Sequence, residues 1–204
     1  MNYVIVSGSH RDDSQSFKVS NWLSDVLQNQ DSSSNVDIIN LAGNPVPLWQ
    51  EDAWNPDSEL SKKMEPYLKK VEQADALILV AAEWAGMVPA ALKNFLLYIS
   101  SAQAAHKPCL LVGVSAGRGG TYPIAELRLS GYKNNRIVYI PDHLIVQDVQ
   151  NVMNDLDFEQ GSDADQYIKK RAGYSLEVLR AYTEAFKKMR EGHELLRKEY
   201  PFGM

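Results

Sequence analysis

Hydrophobic residues follow two patterns that alternate along the chain. Short runs of apolar and β-branched residues are typical of strands, and apolar residues three or four positions apart are typical of amphipathic helices. The runs predict five strands, at residues 4–6, 36–41, 76–82, 109–114 and 137–140. The spaced residues predict helices over about residues 13–28, 58–73, 89–102 and 122–129, and from about residue 163 onward.

This alternation of strands and helices is typical of βαβ units, which build parallel sheets. The third strand, residues 76–82, is apolar throughout, as expected of a strand that helices cover on both faces. The pattern therefore predicts an α/β fold with an open, doubly wound parallel sheet of five strands. Ligands of such sheets bind at the carboxyl ends of the strands, so the loops after strands one, three and four are the candidate binding loops.

We expect residues 1–204 to form a single domain, with residues 160–204 as a C-terminal helical extension. The long last helix carries a stripe of residues at spacings of three and four, namely Leu179, Tyr182, Phe186, Met189, His193 and Leu196. The stripe predicts packing on the sheet, and packing on another subunit is the alternative. The basic run Lys169-Lys170-Arg171 is interpreted as a solvated face.

Composition narrows the class of protein. A hydrophobic share of 45% and a charged share of 23% are typical of a folded globular chain. The net charge of −5 argues against partners such as nucleic acid and anionic membranes. The single cysteine, Cys109, allows no internal disulfide and fits a reducing compartment. No signal peptide and no apolar run near the roughly 20 residues of a membrane span are recognisable, so we expect a cytoplasmic protein.

The first candidate loop, residues 8–16, joins the first strand to the first helix. Free N–H groups and the positive end of the helix dipole favour a phosphate there. Hydroxyl groups from Ser9, Ser14 and Ser16 and the guanidinium of Arg11 add hydrogen-bond donors. The loop lacks the lysine of a P-loop and the glycine spacing of a dinucleotide fingerprint, which favours a mononucleotide phosphate. A capped turn with polar surface groups is the alternative interpretation.

The second candidate loop, residues 82–89, and the third, residues 115–121, are rich in residues that let backbone approach a ligand. Trp84 is expected to form a wall beside a flat ring, and the alternative is that it covers the edge of the sheet. Three glycines in the third loop allow close contact with a ligand, and a flexible turn is the alternative.

A competing motif overlaps the third loop. Residues 113–117 match the G-x-S-x-G nucleophile elbow, and Asp142 and His143 follow in the order of a hydrolase triad. The elbow requires a helix directly after the serine, whereas glycines delay the helix here, and no HGGG-type oxyanion segment is present. A serine hydrolase using Ser115 is kept as an alternative hypothesis.

The three loops together resemble the motifs of the NADPH-dependent FMN reductase family, over about residues 3–128. The first motif, G-S-x-R-x-x-S-x-N, is matched by Gly8, Ser9, Arg11 and Ser14. The second, P-E-Y-N-x-x-x-P-x-x-L-K-N, is matched by Glu83, Pro89, Leu92, Lys93 and Asn94. The third, S-x-G-x-x-G-G, is resembled by Ser115, Gly117, Gly119 and Gly120. Departures from the family pattern are Ser16 for asparagine, Ala82 for proline, Trp84 for tyrosine and Ala85 for asparagine.

The resemblance implies a flavodoxin-like fold with strand order 2-1-3-4-5 and a homodimer or homotetramer. It also implies an enzyme that passes hydride from NADPH or NADH to bound FMN, and then to a flavin, a quinone or a similar small-molecule acceptor. The family's FMN-binding positions correspond here to Ser9, Arg11, Ser14, Gln15, Ser16, Glu83, Trp84, Ala85, Gly86, Ser115, Ala116, Gly117, Gly119 and Gly120.

Some roles stay open at this point. We expect no catalytic acid–base residue, because the cofactor carries the chemistry. Arg118 is a candidate partner for a phosphate of the nicotinamide cofactor, and a solvated side chain is the alternative. Trp49 and Trp54 are candidate walls of the acceptor site, with core packing as the alternative. A flavin-binding electron carrier without NAD(P)H activity is a second functional hypothesis.

Overall fold

Five parallel strands form one sheet in the order β2-β1-β3-β4-β5 in the computed structural model, which describes residues 1–192. The strands are β1 (Asn2–Ser7), β2 (Asn35–Asn40), β3 (Ala76–Ala82), β4 (Pro108–Val114) and β5 (Val138–Val146). The predicted fold class and strand order are confirmed. Ile5 of β1 lies between Ile38 of β2 and Ile78 of β3, so the strand order reverses beside β1.

Helices cover both faces of the sheet. They are α1 (Gln15–Gln30), α2 (Glu59–Gln73), α3 (Ala90–Tyr98), α4 (Ser101–Ala104), α5 (Thr121–Leu129) and α6 (Asp163–Gly192). Successive residues of β3 point to opposite faces, as the pleat requires. Ile78 packs in the cluster that α1 and α6 cover, whereas Leu77 and Leu79 pack in the cluster that α2, α3 and α5 cover.

Two predicted boundaries differ from the structure for identifiable reasons. Strand β5 continues to Val146, beyond the predicted end at residue 140, because an edge strand tolerates the Pro141 that interrupts its apolar pattern. The predicted helix over residues 89–102 divides in two. Ser100 starts α4 with a capping box, in which the Gln103 side chain accepts the N–H of Ser100 at 2.9 Å.

The stripe on α6 packs on the sheet over the part that the structure describes. Leu179 is fully buried and Tyr182 packs against the same cluster, whereas His193 and Leu196 lie outside the described residues. The interpretation of residues 169–171 as a solvated face is wrong for Lys169, which is 0% exposed because two aspartates pair with it. Within residues 1–192, no helix is both long enough and apolar enough to cross a membrane.

Candidate functional site

The three predicted loops lie side by side at the carboxyl edge of the sheet, because they follow the adjacent strands β1, β3 and β4. The N–H of Gly8 in the first loop donates to the carbonyl of Val80 at 2.8 Å. The N–H of Glu83 in the second loop donates to the carbonyl of Val114 at 2.8 Å. The site therefore spans the point between β1 and β3 at which the strand order reverses, where doubly wound sheets bind ligands.

The first loop concentrates buried polar atoms that have no hydrogen-bond partner among residues 1–192. They are Ser7 Oγ, His10 Nδ1, Ser14 Oγ, Gln15 Oε1 and Ser16 Oγ. Ser14 is the N-cap residue of α1, yet its side chain makes no capping hydrogen bond. Buried polar groups of native proteins are nearly always paired. A cluster of exceptions at one loop therefore indicates a ligand that supplies the partners.

The chemistry of this loop fits a phosphate. The hydroxyls of Ser14 and Ser16 are donors, and the helix that begins here has 16 residues and directs the positive end of its dipole at the loop. The Arg11 side chain is exposed and has no ion-pair partner in the described part of the chain. The opposing carboxylates of Asp12 and Asp13 are exposed as well, so solvent and salt screen them.

Ser9 has a local role in the same loop. It is buried, and its Oγ accepts the N–H of Arg11 at 3.3 Å. This bond folds the backbone back at the start of the loop, so Ser9 shapes the turn that presents Arg11.

The second loop contains a tight turn from Trp84 to Met87. The N–H of Trp84 donates to the carbonyl of Met87 at 3.1 Å, and the N–H of Met87 returns a bond of 2.9 Å. The two central residues, Ala85 and Gly86, have φ values of 50° and 73°, the sign pattern of a type I′ turn. Asparagine and glycine favour this conformation, so Ala85 is a strained residue where the family motif has asparagine.

Trp84 also connects the second loop to the first. Its ring lies 4.3 Å from the ring of His10, measured between centroids, at an interplanar angle of 60°. The indole therefore faces the first loop, and this contact places an aromatic surface at the point where the two loops meet.

Two residues of α3 that match the second motif hold loops in place. Asn94 holds the loop before α2, and Lys93 acts on the second loop through Glu126. Asn94 accepts the N–H of Trp49 at 2.8 Å and donates to the carbonyl of Pro47 at 2.7 Å. Lys93 pairs with Glu126, which accepts the N–H of Val88 at 2.6 Å. Burial raises the pKa of Glu126, but Lys93 and the Val88 amide outweigh it, so the pKa lies below its usual value. Lys93 and Asn94 are thus structural ties.

The glycine amides of the third loop are bonded within the protein. Ser115 Oγ accepts the N–H groups of Gly117 at 3.1 Å and Gly119 at 3.2 Å. The Glu83 carboxylate accepts the N–H of Gly120 at 2.5 Å. A Cβ at Gly113 would overlap the carbonyl of Gly120, so β4 and this loop are in direct backbone contact. These three amides are occupied, and the loop offers a ligand a fixed shape.

The geometry excludes the serine hydrolase that uses Ser115, so that hypothesis is wrong. His143 lies beside Leu111 in the sheet, four residues before Ser115, which corresponds to about 13 Å along the strand. Asp142 is held by Arg171, with Nη1 at 3.1 Å from Oδ2.

The two tryptophans before α2 form an edge-to-face pair with centroids 5.2 Å apart. Trp49 packs against the core cluster under α2 and α3, which confirms core packing for one of the two. Trp54 is 76% exposed. A cavity of about 470 Å³ borders the third loop at Gly117 and Arg118, and Tyr167 of α6 lines its other side.

The sequence analysis did not identify several residues of the site. Ser7 reads as the end of an apolar strand, and His10 occupies a variable position of the first motif. Glu126 and Gln147 hold the second and third loops from distant positions. The run of hydroxyls after β1 was the available signal for Ser7, whereas pairings over long sequence distances leave no local pattern.

Comparison with known proteins identifies related chains. The family model described as NADPH-dependent FMN reductase matches residues 1–151. An NADPH azoreductase from Bacillus sp. (strain OY1-2) is 27% identical, over 94% of this chain and 97% of the relative.

Solved structures show the same fold. An oxidoreductase from Corynebacterium diphtheriae superposes with a TM-score of 0.66 at 11% identity, over 90% of this chain and 97% of the other. The flavoenzyme NAD(P)H:(acceptor) oxidoreductase from Paracoccus denitrificans superposes with a TM-score of 0.63 at 19% identity, over 92% and 97% of the two chains.

Proposed function

Because the chain belongs to the NADPH-dependent FMN reductase family and is an oxidoreductase, we propose that its three loops bind FMN and that it reduces a small-molecule acceptor with NAD(P)H. When bound, FMN supplies the two-electron chemistry that links the nicotinamide cofactor to the acceptor. The observation that carries the proposal is the group of buried, unpaired polar atoms in the first loop.

In this proposal the first loop holds the phosphate of FMN. The hydroxyls of Ser14 and Ser16 and the guanidinium of Arg11 donate to phosphate oxygens, and the N-terminal amides of α1 complete the cradle. Ser9 keeps Arg11 in place through its bond to the Arg11 amide. Gln15, whose Oε1 has no partner within residues 1–192, accepts from a hydroxyl of the ribityl chain.

The second and third loops border the flat ring of the cofactor. Trp84 supplies an aromatic surface, and the turn at Ala85 and Gly86 presents backbone to the ring edge. Residues 115–120, including Ala116, form the facing side with a fixed backbone. Glu83 acts by holding Gly120 and thereby sets the distance between the two loops.

The two substrates are proposed to use neighbouring surface. Arg118 is exposed beside the cavity of about 470 Å³ and pairs with a phosphate of NAD(P)H. A flat aromatic acceptor, an azo compound or a quinone, then binds beside the flavin ring after the nicotinamide cofactor has left. The similarity to an NADPH azoreductase supports this acceptor class. The exposed Leu48 and Trp54 support a second subunit beside the site, as a homodimer or homotetramer requires.

The deciding experiment is a visible absorption spectrum. The purified chain is mixed with FMN, desalted, and then given NADPH or NADH without oxygen. A retained flavin band that bleaches is the expected result. A retained band that neither nucleotide bleaches would establish the electron carrier instead. Absence of a retained band, together with no change in flavin fluorescence on titration, would contradict FMN binding.

A further inference from the structure

Three loops meet at His10. It stands between Ser9 and Arg11 in the first loop, and its carbonyl accepts the N–H of Gly43, from the loop after β2, at 3.1 Å. Its ring contacts the ring of Trp84, from the loop after β3, with centroids 4.3 Å apart. His10 therefore lies beyond the carboxyl end of β1, in contact with the loops that follow its two neighbours in the sheet, β2 and β3. This is the ligand-binding point of this type of sheet.

The Nδ1 atom of His10 is buried and has no hydrogen-bond partner among residues 1–192. Each nitrogen of an imidazole is a donor or an acceptor, so a buried nitrogen without a partner is unfavourable. The ring also contacts Trp84, with centroids 4.3 Å apart, which fixes the position of the ring beside the first loop. Four more buried atoms in or directly before this loop lack a partner within residues 1–192, on Ser7, Ser14, Gln15 and Ser16. One ligand that enters the loop would satisfy them together.

We propose that His10 is a further FMN-binding residue, whose Nδ1 bonds an oxygen of the cofactor while its ring holds Trp84 in place. The inference rests on the proposed function. The oxygen belongs to the phosphate or to a ribityl hydroxyl, both of which accept an N–H. His10 thus has two roles: it binds the polar chain of the cofactor and it positions the ring of Trp84. The motif residues perform these two roles from separate loops.

Three variants separate the nitrogen from the ring. His10→Phe keeps an aromatic ring against Trp84 and removes both nitrogens. In His10→Asn the side-chain amide nitrogen lies near the position of Nδ1, and in His10→Gln it reaches the position of Nε2. Dissociation constants for FMN and for riboflavin, which lacks the phosphate, are measured by flavin fluorescence titration of each variant and of the wild type.

We expect His10→Phe to weaken FMN binding by about tenfold or more, the scale of a hydrogen bond to a charged group. His10→Asn and His10→Gln both lose the ring contact with Trp84, so both should bind FMN more weakly than the wild type. His10→Asn should still bind FMN at least about threefold more tightly than His10→Gln, because only its amide nitrogen lies near the position of Nδ1. A loss for FMN alone assigns the bond to the phosphate, and an equal loss for riboflavin assigns it to the ribityl chain.

The outcomes also separate this inference from the proposed function. Wild-type affinity in His10→Phe, or equal affinities in the Asn and Gln variants, would overturn the role of Nδ1 and leave FMN binding intact. A wild-type chain that binds neither flavin would overturn both. If His10→Phe unfolds, the Asn and Gln pair still decides the question, because both remove the ring and differ in the position of the nitrogen.

Discussion

Two adjacent regions of the molecule differ in whether their buried polar groups have hydrogen-bond partners within the protein. Between the end of β1 and the first turn of α1, five buried side-chain atoms have no hydrogen-bond partner in the described chain. In the segment of residues 148–162 and the start of α6, the fully buried Lys169 bonds Asp155 at 2.6 Å and Asp165 at 2.8 Å, and also bonds two carbonyls. Lys18 of α1 connects the regions by donating to the carbonyl of Val152 at 2.8 Å.

The difference separates polar groups that stabilise the fold from polar groups that we propose to bind a ligand. Burial lowers the pKa of Lys169, but the bonds and charges of Asp155 and Asp165 outweigh it and raise the net pKa above its usual value. The ammonium therefore stays charged because the protein itself supplies its partners. The polar atoms of the first loop lack such partners, so their burial lowers the stability of the chain without its ligand.

The largest expected effect comes from removing the buried charge. Lys169→Met leaves the Asp165 carboxylate, 6% exposed, without its cation, and should lower the free energy of unfolding by about 3–5 kcal/mol. Urea denaturation without flavin measures this value. Lys170→Met is the matched control, because its pair with Glu159 is exposed and is expected to contribute at most about 1 kcal/mol. A loss below that amount for Lys169→Met would remove the contrast between the two regions.

Arg11→Ala should act on the ligand and leave the fold unchanged. The variant is expected to weaken FMN binding by about 1.5–3 kcal/mol, the contribution of a hydrogen bond to a charged group. Its unfolding curve without flavin should match the wild type, because Arg11 is exposed and unpaired among the described residues. Arg180→Ala, an exposed arginine of α6, is the control for loss of charge. Unchanged FMN affinity in Arg11→Ala would refute the assignment of this loop to the phosphate.

A serine pair one turn apart on α1 sharpens the contrast further. Ser16 and Ser20 are both buried. Ser16 Oγ has no partner in the part of the chain that the structure describes, whereas Ser20 Oγ donates to the Ser16 carbonyl at 2.8 Å. Ser16→Ala should weaken FMN binding by about 1 kcal/mol without loss of stability. Ser20→Ala should lower stability by about 1 kcal/mol without loss of affinity. The same measurements on both variants test this reversal, and parallel effects would contradict it.

The smallest expected effect lies in the second loop, where the unfavourable feature is backbone strain at Ala85 and not a buried polar atom without a partner. Ala85→Gly relieves a residue with φ of 50° and should raise the free energy of unfolding by about 1 kcal/mol. Ala181→Gly, at an exposed position inside α6, should lower it by about 1 kcal/mol. Thermal unfolding of both variants gives the comparison. A lower free energy of unfolding for Ala85→Gly than for the wild type would contradict backbone strain at Ala85.

Much of the fold could be predicted from local pattern. The apolar run at residues 76–82 predicted the central strand with its observed bounds. At the predicted start of α2, Ser58 caps the helix by accepting the Ser61 amide. The motif resemblance supplied the strand order, which the sheet confirms. The three candidate loops could be located because turn residues directly follow apolar strands, a signal that depends only on neighbours in the sequence.

The remainder depended on contacts between distant residues. Lys169 stands in a run of three basic residues, and only its aspartate partners make its burial possible. The aspartates lie at residues 155 and 165, on either side of a segment without hydrophobic periodicity. No sequence pattern therefore predicts the ion-pair cluster around Lys169. The third loop illustrates the same limit, because its glycines predicted close approach but not that Glu83 and Ser115 would occupy their amides.

The internal hydrogen bonds of the third loop have a consequence for the rate of FMN binding. Its backbone is tied by Ser115, Glu83 and Gln147, so its ordering is completed when the chain folds and not when FMN arrives. Association with the cofactor should then proceed in one step, with a rate that rises linearly with FMN concentration and shows no plateau from a slow rearrangement.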